Sequence, residues 1–343
     1  MKFNRLVAWL LALAMCFTLV ACGTTVESDP TVTTQPTEAT AESTPAATEP
    51  SESTEPAQVS TATPLLYKVT DEKGNVVWLF GSIHVGKEAY YPLPDYVLSA
   101  FRGADSLAVE ADIVAFEKDL GQQMKALMPL VYTDGTTIKD HIPQELYEKS
   151  VAVLEAYNTY TSAIDMYCPA FWSSLIDSLL MLEMGGDVEL GIDRYLINTA
   201  VTEGKEILEI ESAQFQYQML ADFDDDIQLM LLESSVDLYE NQEEAAQELA
   251  SLMDLWAAGD EAAFDQFLNT GEETLTAEEE EMVARYNKTM ITDRNLTMAD
   301  YAENALTSGK EVFICVGAAH IVGAGAMAEL LAQRGYTVEC IIS

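Results

Sequence analysis

Positive charge is what this sequence has least of. Its 343 residues carry 17 Lys and Arg against 57 Asp and Glu, a formal net charge of −40. A field of that sign repels nucleic acid and anionic lipid at long range, which excludes nucleic-acid binding. Cysteine is scarce as well. Of the five in the chain, Cys168, Cys315 and Cys340 fall in its body, too few for a disulfide framework. Cys315 and Cys340 both lie in strand-like runs, so a bridge between them is the pairing to check. There is no G-x-S-x-G turn, which counts against an ordinary α/β-hydrolase serine, and no Cys–His nucleophile arrangement stands out. Only three histidines are present, His84, His141 and His320.

What is there begins with a leader. Lys2 and Arg5 precede an apolar run over residues 6–20, followed by Leu19-Val20-Ala21-Cys22. That is the layout of a secretory signal, and it resembles a bacterial lipobox in which Cys22 takes the lipid. The run is shorter than the ~20 residues of a membrane span. The rest of the chain is therefore expected outside the cytoplasm, lipid-anchored to the cell membrane through Cys22. Residues 23–63 are Thr, Ser, Pro, Ala and Glu with only isolated valines, a composition that cannot offset its ordering entropy. They read as a disordered tether that holds the body of the chain roughly 35 Å from the anchor.

Residues 64–343 are long enough for one large α/β domain. With seven linker acids and Lys2 and Arg5 set aside, this domain keeps 50 acidic and 15 basic residues, about −35. The acid is concentrated: no Lys or Arg lies between Lys205 and Arg285, and residues 221–282 hold twenty Asp or Glu. Ala245, Leu249, Leu252 and Trp256 recur at helical steps there, so the segment reads as an insertion of amphipathic helices with a solvated acidic face. Asp224-Asp225-Asp226 lacks the alternating spacing of a calcium loop.

Elsewhere strand and helix signals alternate. Leu65–Thr70 and Asn75–Phe80 flank a turn and read as a hairpin. Helices are expected near 94–102, 143–157, 170–184 and 190–203, then through Arg294 and Met298 to Gly309, and at 324–334. Strands are expected at Ser106–Val109, Glu206–Ile210, Val312–Val316 and Thr337–Ile342. This order predicts an α/β sheet with substantial parallel pairing, carrying the acidic helical insertion.

Two strand ends carry the same motif. Val76–Phe80 runs into Gly81-Ser82-Ile83-His84, and Val312–Val316 runs into Gly317-Ala318-Ala319-His320. In open α/β sheets ligands collect beyond the carboxyl ends of strands, which is where both histidines fall. Glu110 closes a third run, Leu107-Ala108-Val109. Two imidazoles and a carboxylate on one rim suit either a divalent metal or acid–base work. Secondary candidates are Asp193 and Arg194, Glu211 after a strand, and Arg294 with Asn295. A rim arginine could hold a substrate carboxylate or an oxyanion. His141, in Asp140-His141-Ile142-Pro143, has no such setting and reads as a loop or helix-start residue.

The segments WLFGSIHVG, YPLP, LAVEAD, GIDRYL, the DRN at 293–295, and VGAAHIVG with RGYTVE together resemble the TraB/GumN family, related to the Tiki metalloproteases, over residues 64–343. The resemblance implies an α/β core of two pseudo-equivalent halves, each supplying one G-x-x-H strand end. In Tiki-type members it implies a metal-dependent peptidase using manganese or cobalt, whereas distant erythromycin-esterase-like relatives work without bound metal. Carried over, His84, His320 and Glu110 fall on the metal and catalytic positions. The function expected is a surface-tethered, metal-dependent hydrolase of a peptide-like bond, in which His84, His320 and Glu110 bind or activate water and the substrate is a peptide or small molecule. The alternatives are a peptide-binding or sequestering lipoprotein without turnover, and haem capture.

Overall fold

The computed structural model describes residues 60–269 and 275–342. The expected signal, Cys22 and the tether as far as residue 59 lie outside the described residues. Strands β1 (Leu66–Thr70), β2 (Val76–Ser82), β3 (Ser106–Val109), β4 (Glu206–Glu209), β5 (Val312–Gly317) and β6 (Thr337–Ile341) form one sheet in the order β4-β3-β5-β2-β1-β6. The hairpin forms as expected, with β1 antiparallel to β2 and also to β6. Asp71 builds its turn by accepting the Lys73 and Asn75 amides at 2.9 and 2.8 Å. The other pairings, β2 with β5, β5 with β3 and β3 with β4, are all parallel. The sheet is therefore mixed and mostly parallel.

The order of the strands decides where a site can lie. After β4 the chain leaves the sheet for a hundred residues and returns as β5, inserted between β2 and β3. The carboxyl ends of β2, β5, β3 and β4 therefore sit side by side, at the kind of crevice where open α/β sheets bind ligands. Helices flank the sheet, which is why β3 is buried at every residue and reads as an unbroken apolar run. The edge strands β4 and β6 are partly exposed instead.

The helices follow the sequence expectations closely, with α1 (Asp95–Gly103) joining β2 to β3. Two more then occur that periodicity did not signal, α2 (Ile113–Phe116) and α3 (Leu120–Leu127). Next come α4 (Gln144–Ala156), α5 (Pro169–Glu183) and α6 (Ile192–Glu203), the last leading into β4. A further helix that the sequence reading did not expect, α7 (Ala213–Ala221), follows β4, and the acidic stretch then forms α8 (Asp225–Glu240), α9 (Gln242–Ala258), α10 (Glu261–Asn269) and α11 (Ala277–Asn287). Ala245, Leu249, Leu252 and Trp256 are its buried stripe. Helix α12 (Asp293–Ser308) leads to β5, and α13 (Ala318–Ile321) and α14 (Met327–Gln333) lead to β6. No described helix is long and apolar enough to cross a membrane.

Three sequence expectations are refined. Contacts with the fold begin before residue 64, for Thr61 and Thr63 donate their amides to Ala89 and Ala257 at 3.0 and 2.7 Å and Ala62 is buried. Cys315 and Cys340 do not pair: β2 and β1 separate their strands, and three spacings of ~4.8 Å exceed what a disulfide can span. Asp224 and Asp226 both engage the Arg285 guanidinium, which gives the aspartate triplet a partner within the fold.

One buried acid stands apart from the strand ends. Asp177 on α5 is enclosed with Ser173 and with Ser235 of α8, and its Oδ1 has no hydrogen-bond partner among the described residues. Burial, partly offset by Ser235 and Ser173, pushes its pKa up to about 7. A folded value above the unfolded one means that the stability contributed by the protonated acid is complete below about pH 4 and is lost as pH rises through about 7. Asp177→Asn should therefore leave stability near its original value at pH 4 and raise it by about 1–3 kcal/mol at pH 8. Urea unfolding at the two pH values checks this, and an equal shift at both would remove burial of charge as the cause.

Candidate active site

Three adjacent parallel strands deliver the three principal residues. Glu110 is the residue after β3, Gly317 is the last residue of β5, and His84 lies two residues beyond β2. The two G-x-x-H segments then leave the sheet differently. Residues 83–85 run on as a loop, whereas Ala318–Ile321 turn at once into α13 and bury His320. The segments touch each other, for a Cβ on Gly81 would lie 2.8 Å from the Ala318 Cα. Glycine there permits α13 to start against the end of β2.

Glu110 is held as an anion from several sides. Its Oε1 accepts the Gly317 amide at 2.7 Å, and its Oε2 accepts Gln216 Nε2 at 3.0 Å and an Arg294 Nη2 hydrogen. Burial pushes the carboxyl pKa up, but the charge of Arg294, helped by His320, His84 and the Gly317 N–H, prevails and holds it down at about 2. Arg294 spans two carboxylates. Besides Glu110 it donates from Nε and Nη2 to Glu211 at 2.8 and 2.9 Å, and from Nη1 to the Met290 carbonyl at 3.2 Å. Four of its five N–H bonds are thus committed within the protein. Glu211 comes into reach because its amide bonds the Glu110 carbonyl at 2.9 Å, prolonging the β3–β4 pairing.

The segment before Arg294 is irregular. Lys288–Thr292 forms a π-helical turn between α11 and α12, the kind of insertion that re-aims groups inside a helix. The Met290 carbonyl accepts from Arg294, while the side chain of the next residue, Asn295, faces His320.

Each histidine is fixed through Nδ1. His320 bonds Asn295 Oδ1 at 2.7 Å, and Asn295 is braced in turn by donating Nδ2 to the Gly325 carbonyl at 2.9 Å. His84 Nδ1 makes a short bond to Asp193 Oδ2, whose other oxygen accepts the Arg194 amide at 2.9 Å. Asp193 is placed by the start of α6. The Ile192 amide donates to the Ile83 carbonyl at 3.0 Å, and a Cβ on Gly191 would come within 2.7 Å of the His84 carbonyl oxygen. With Nδ1 occupied by an oxygen, each ring carries its lone pair on Nε2 when neutral. His320 Nε2 is 4.0 Å from Glu110 Oε1.

The two imidazoles differ in charge. Burial, then Arg294, depress His320 to about 3. Burial also opposes protonation of His84, but the Asp193 carboxylate outweighs it and raises the pKa above its usual value. At pH 5 His84 should be an imidazolium and His320 neutral, which imidazole NMR shifts report directly. The stabilising contribution of His84 is complete below the unfolded value of about 6.5 and is lost as pH rises through its folded one. That of His320 is complete above about 6.5 and is lost as pH falls toward 3. Two histidines titrating together near 6.5 would contradict both assignments.

His84, Glu110, Arg294 and His320 line one cleft, walled by Ser82, Ile83, Met290 and Ile291, and by Phe264 and Leu268 of α10. The acidic helical region therefore forms part of the wall, which a purely accessory insertion would not. Comparison with known proteins matches the same stretch: the sequence profile of the TraB/PrgY/gumN family covers residues 65–340. The chain belongs to this family. It is also 26% identical over 256 residues to the uncharacterized protein YbaP of Escherichia coli K12, covering 74% of this chain and 86% of YbaP, and matches the YbaP of Shigella flexneri to the same extent.

For this TraB/PrgY/gumN protein the sequence candidates divide. Glu110, Arg294 and Glu211 are joined by hydrogen bonds, with His320 and its partner Asn295 approaching Glu110, and the His84–Asp193 pair stands beside them, His84 lining the same cleft. Arg194 stays outside it, turned to Glu117 with an Nη1 bond of 2.8 Å. His141 is remote, stacked on Tyr132 at 4.0 Å and bonded to Thr136. Gln216 was missed. It sits in α7, buried, with its Nε2 shared between Glu110 and Glu211 at 3.0 and 3.1 Å. Nothing in its local sequence, Gln214-Phe215-Gln216, distinguishes it from the exposed Gln214.

The manganese or cobalt implied by resemblance can be tested against these donors. Imidazoles whose Nδ1 is held by an oxygen, leaving Nε2 free, are typical metal ligands. Convergence is lacking, because among the described residues no group of three His, Cys, Asp or Glu is placed to hold an ion. The arrangement as it stands does not fit a three-ligand ion.

Proposed function

We propose that this cleft is the active site of a hydrolase acting on a peptide-like bond, with His84 as the general base. The observation that carries it is the Asp193–His84 pair, a carboxylate fixing one imidazole nitrogen and leaving the other toward the cleft. In this scheme His84 Nε2 takes a proton from water as the water attacks the carbonyl carbon, Asp193 stabilises the imidazolium that forms, and the imidazolium then returns the proton to the amide nitrogen as the carbonyl re-forms, the C–N bond breaks and the amine leaves. Glu110, anionic and fixed, adds to that stabilisation, and neutral His320 orients the water by accepting a hydrogen bond at Nε2. The β2 and β5 ends act as the two equivalent halves of the site. The chain works outside the cytoplasm, tethered by lipid on Cys22, a reading supported by Leu19-Val20-Ala21-Cys22 after an apolar run.

A peptide-binding protein without turnover is the second reading. It is favoured by the commitment of Glu110 and of four Arg294 N–H bonds inside the protein, which leaves few donors for an oxyanion. Incubation of the purified chain with a diverse peptide mixture, read by mass spectrometry, separates the two. Cleavage is expected, lowered at least about 10²-fold by His84→Ala and retained after chelation. Loss of cleavage on chelation with recovery on adding manganese would place an ion on the two imidazoles, absence of cleavage would favour binding alone, and a visible absorption band would indicate haem.

A further inference from the structure

One surface of the domain departs from its overall charge. Residues 120–133 contain no Asp or Glu, and residues 212–221 contain no charged residue at all, in a chain with 57 acids. The first stretch is α3 with the turn after it, the second is α7 with its cap, and the two helices pack on each other. Leu120, Met124 and Met128 succeed one another at four-residue steps and are 68%, 71% and 61% exposed. Phe215 on α7 is exposed as well, and so is Met166, whose carbonyl accepts the Tyr132 amide at 2.8 Å and which therefore lies at the same edge. Lys125 is the only charge between residues 120 and 133. Exposed acids, Asp119, Asp134 and Asp222, mark the ends of the two stretches.

This surface is the outer side of the wall that holds the catalytic carboxylate. Gln216, on the inward side of α7, bonds Glu110, while its neighbour Phe215 faces solvent. Contiguous exposed apolar side chains on a soluble domain mark interaction sites, and methionine adapts its shape to varied apolar partners.

We propose that the α3–α7 face docks an amphipathic stretch of a polypeptide substrate, whose apolar side chains lie on Leu120, Met124, Met128 and Phe215 and whose Lys or Arg residues meet the acids at the ends. The proposal rests on the reading of the cleft as a site for peptide-like substrates, and it names the feature such a substrate carries beyond the bond acted on. Charge selects this occupant. A domain near −35 repels an anionic bilayer and a second copy of itself, whereas a basic, apolar segment is attracted by the surrounding field.

The test uses the full chain carrying Cys22→Ala, so that no lipid is attached, and fluorescence anisotropy of a labelled peptide with leucines at helical spacing and lysines at both ends. Binding is expected, and it should weaken by about tenfold or more for a triple Leu120→Gln, Met124→Gln, Met128→Gln variant whose unfolding midpoint is unchanged. Twin peptides with glutamates at the ends, or with serines for leucines, should bind at least as much more weakly. Equal binding by wild type and variant would overturn the proposal. So would sedimentation with phosphatidylglycerol vesicles that the triple variant abolishes, or a dimer that it converts to monomer. Because binding is read without turnover, docking that persists in a chain with no cleavage would sink the hydrolytic reading alone, and cleavage without docking would sink this one alone.

Discussion

Arg294→Met is expected to destabilise the folded chain by about 3–5 kcal/mol, because it removes the cation that two buried carboxylates share. Glu110 and Glu211 would be left in a buried site, with Gln216 and the Gly317 amide as their remaining donors. Those donors are neutral and cannot offset the desolvation of two anions. Much of the loss is therefore the penalty on the carboxylates left behind rather than the worth of the pairing itself. A double variant isolates that share. Arg294→Met with Glu211→Gln should recover part of the stability, since one of the stranded charges is gone, and the two changes should be far from additive. Chemical unfolding of the wild type, the two single variants and the double variant gives the coupling directly. An additive result, or a loss below about 1 kcal/mol for Arg294→Met, would mean that the carboxylates rehydrate and that the clamp is not what holds the strand ends together.

Much of this arrangement could be read from the chain, and the division between what could and what could not has a physical basis. The strands β2, β3 and β5 were legible because central parallel strands are buried on both faces and so appear as unbroken apolar runs ending on a turn residue. Glu110, His84 and His320 were legible for the same reason, each coming just after such a run. Their neighbourhood followed from parallel pairing, although β5 is inserted beside β2 only after the whole helical excursion. Gln216 was not legible, because α7 has a surface pattern of glutamines and only tertiary packing turns one of them toward Glu110. The commitment of Arg294 was hidden too. An arginine in a helix reads the same whether it meets solvent, substrate or two buried acids, and the π-helical turn that precedes it here leaves no periodic signal. The short α3 was missed because Leu120 and Met124, and Met128 after it, face outward, so that no buried stripe marks the helix, and α2 is a single turn, too short to show a period.

His84→Ala should lower turnover by about 10²- to 10⁴-fold, the usual contribution of a positioned general base, while leaving the protein folded, since the ring is hydrogen-bonded at a loop and does not fill the apolar core. Asp193→Asn is the sharper variant. It keeps the size of the side chain but withdraws the charge that raises the His84 pKa against the effect of burial. Because the base must be neutral to accept a proton, wild-type turnover should climb as pH rises through the raised His84 value and level off above it. In Asp193→Asn the same limb should move to lower pH, and the plateau should fall because the imidazolium formed during reaction is no longer stabilised. The double variant should be scarcely slower than His84→Ala alone, for an aspartate that acts only through the histidine has nothing left to act on. His320→Gln serves as the contrast: with a pKa near 3 it cannot set a limb in the neutral range, so its loss should alter the rate without moving the profile. A profile that stays in place when Asp193 is changed, or one that moves when His320 is changed, would exchange the roles of the two histidines and take the base away from β2.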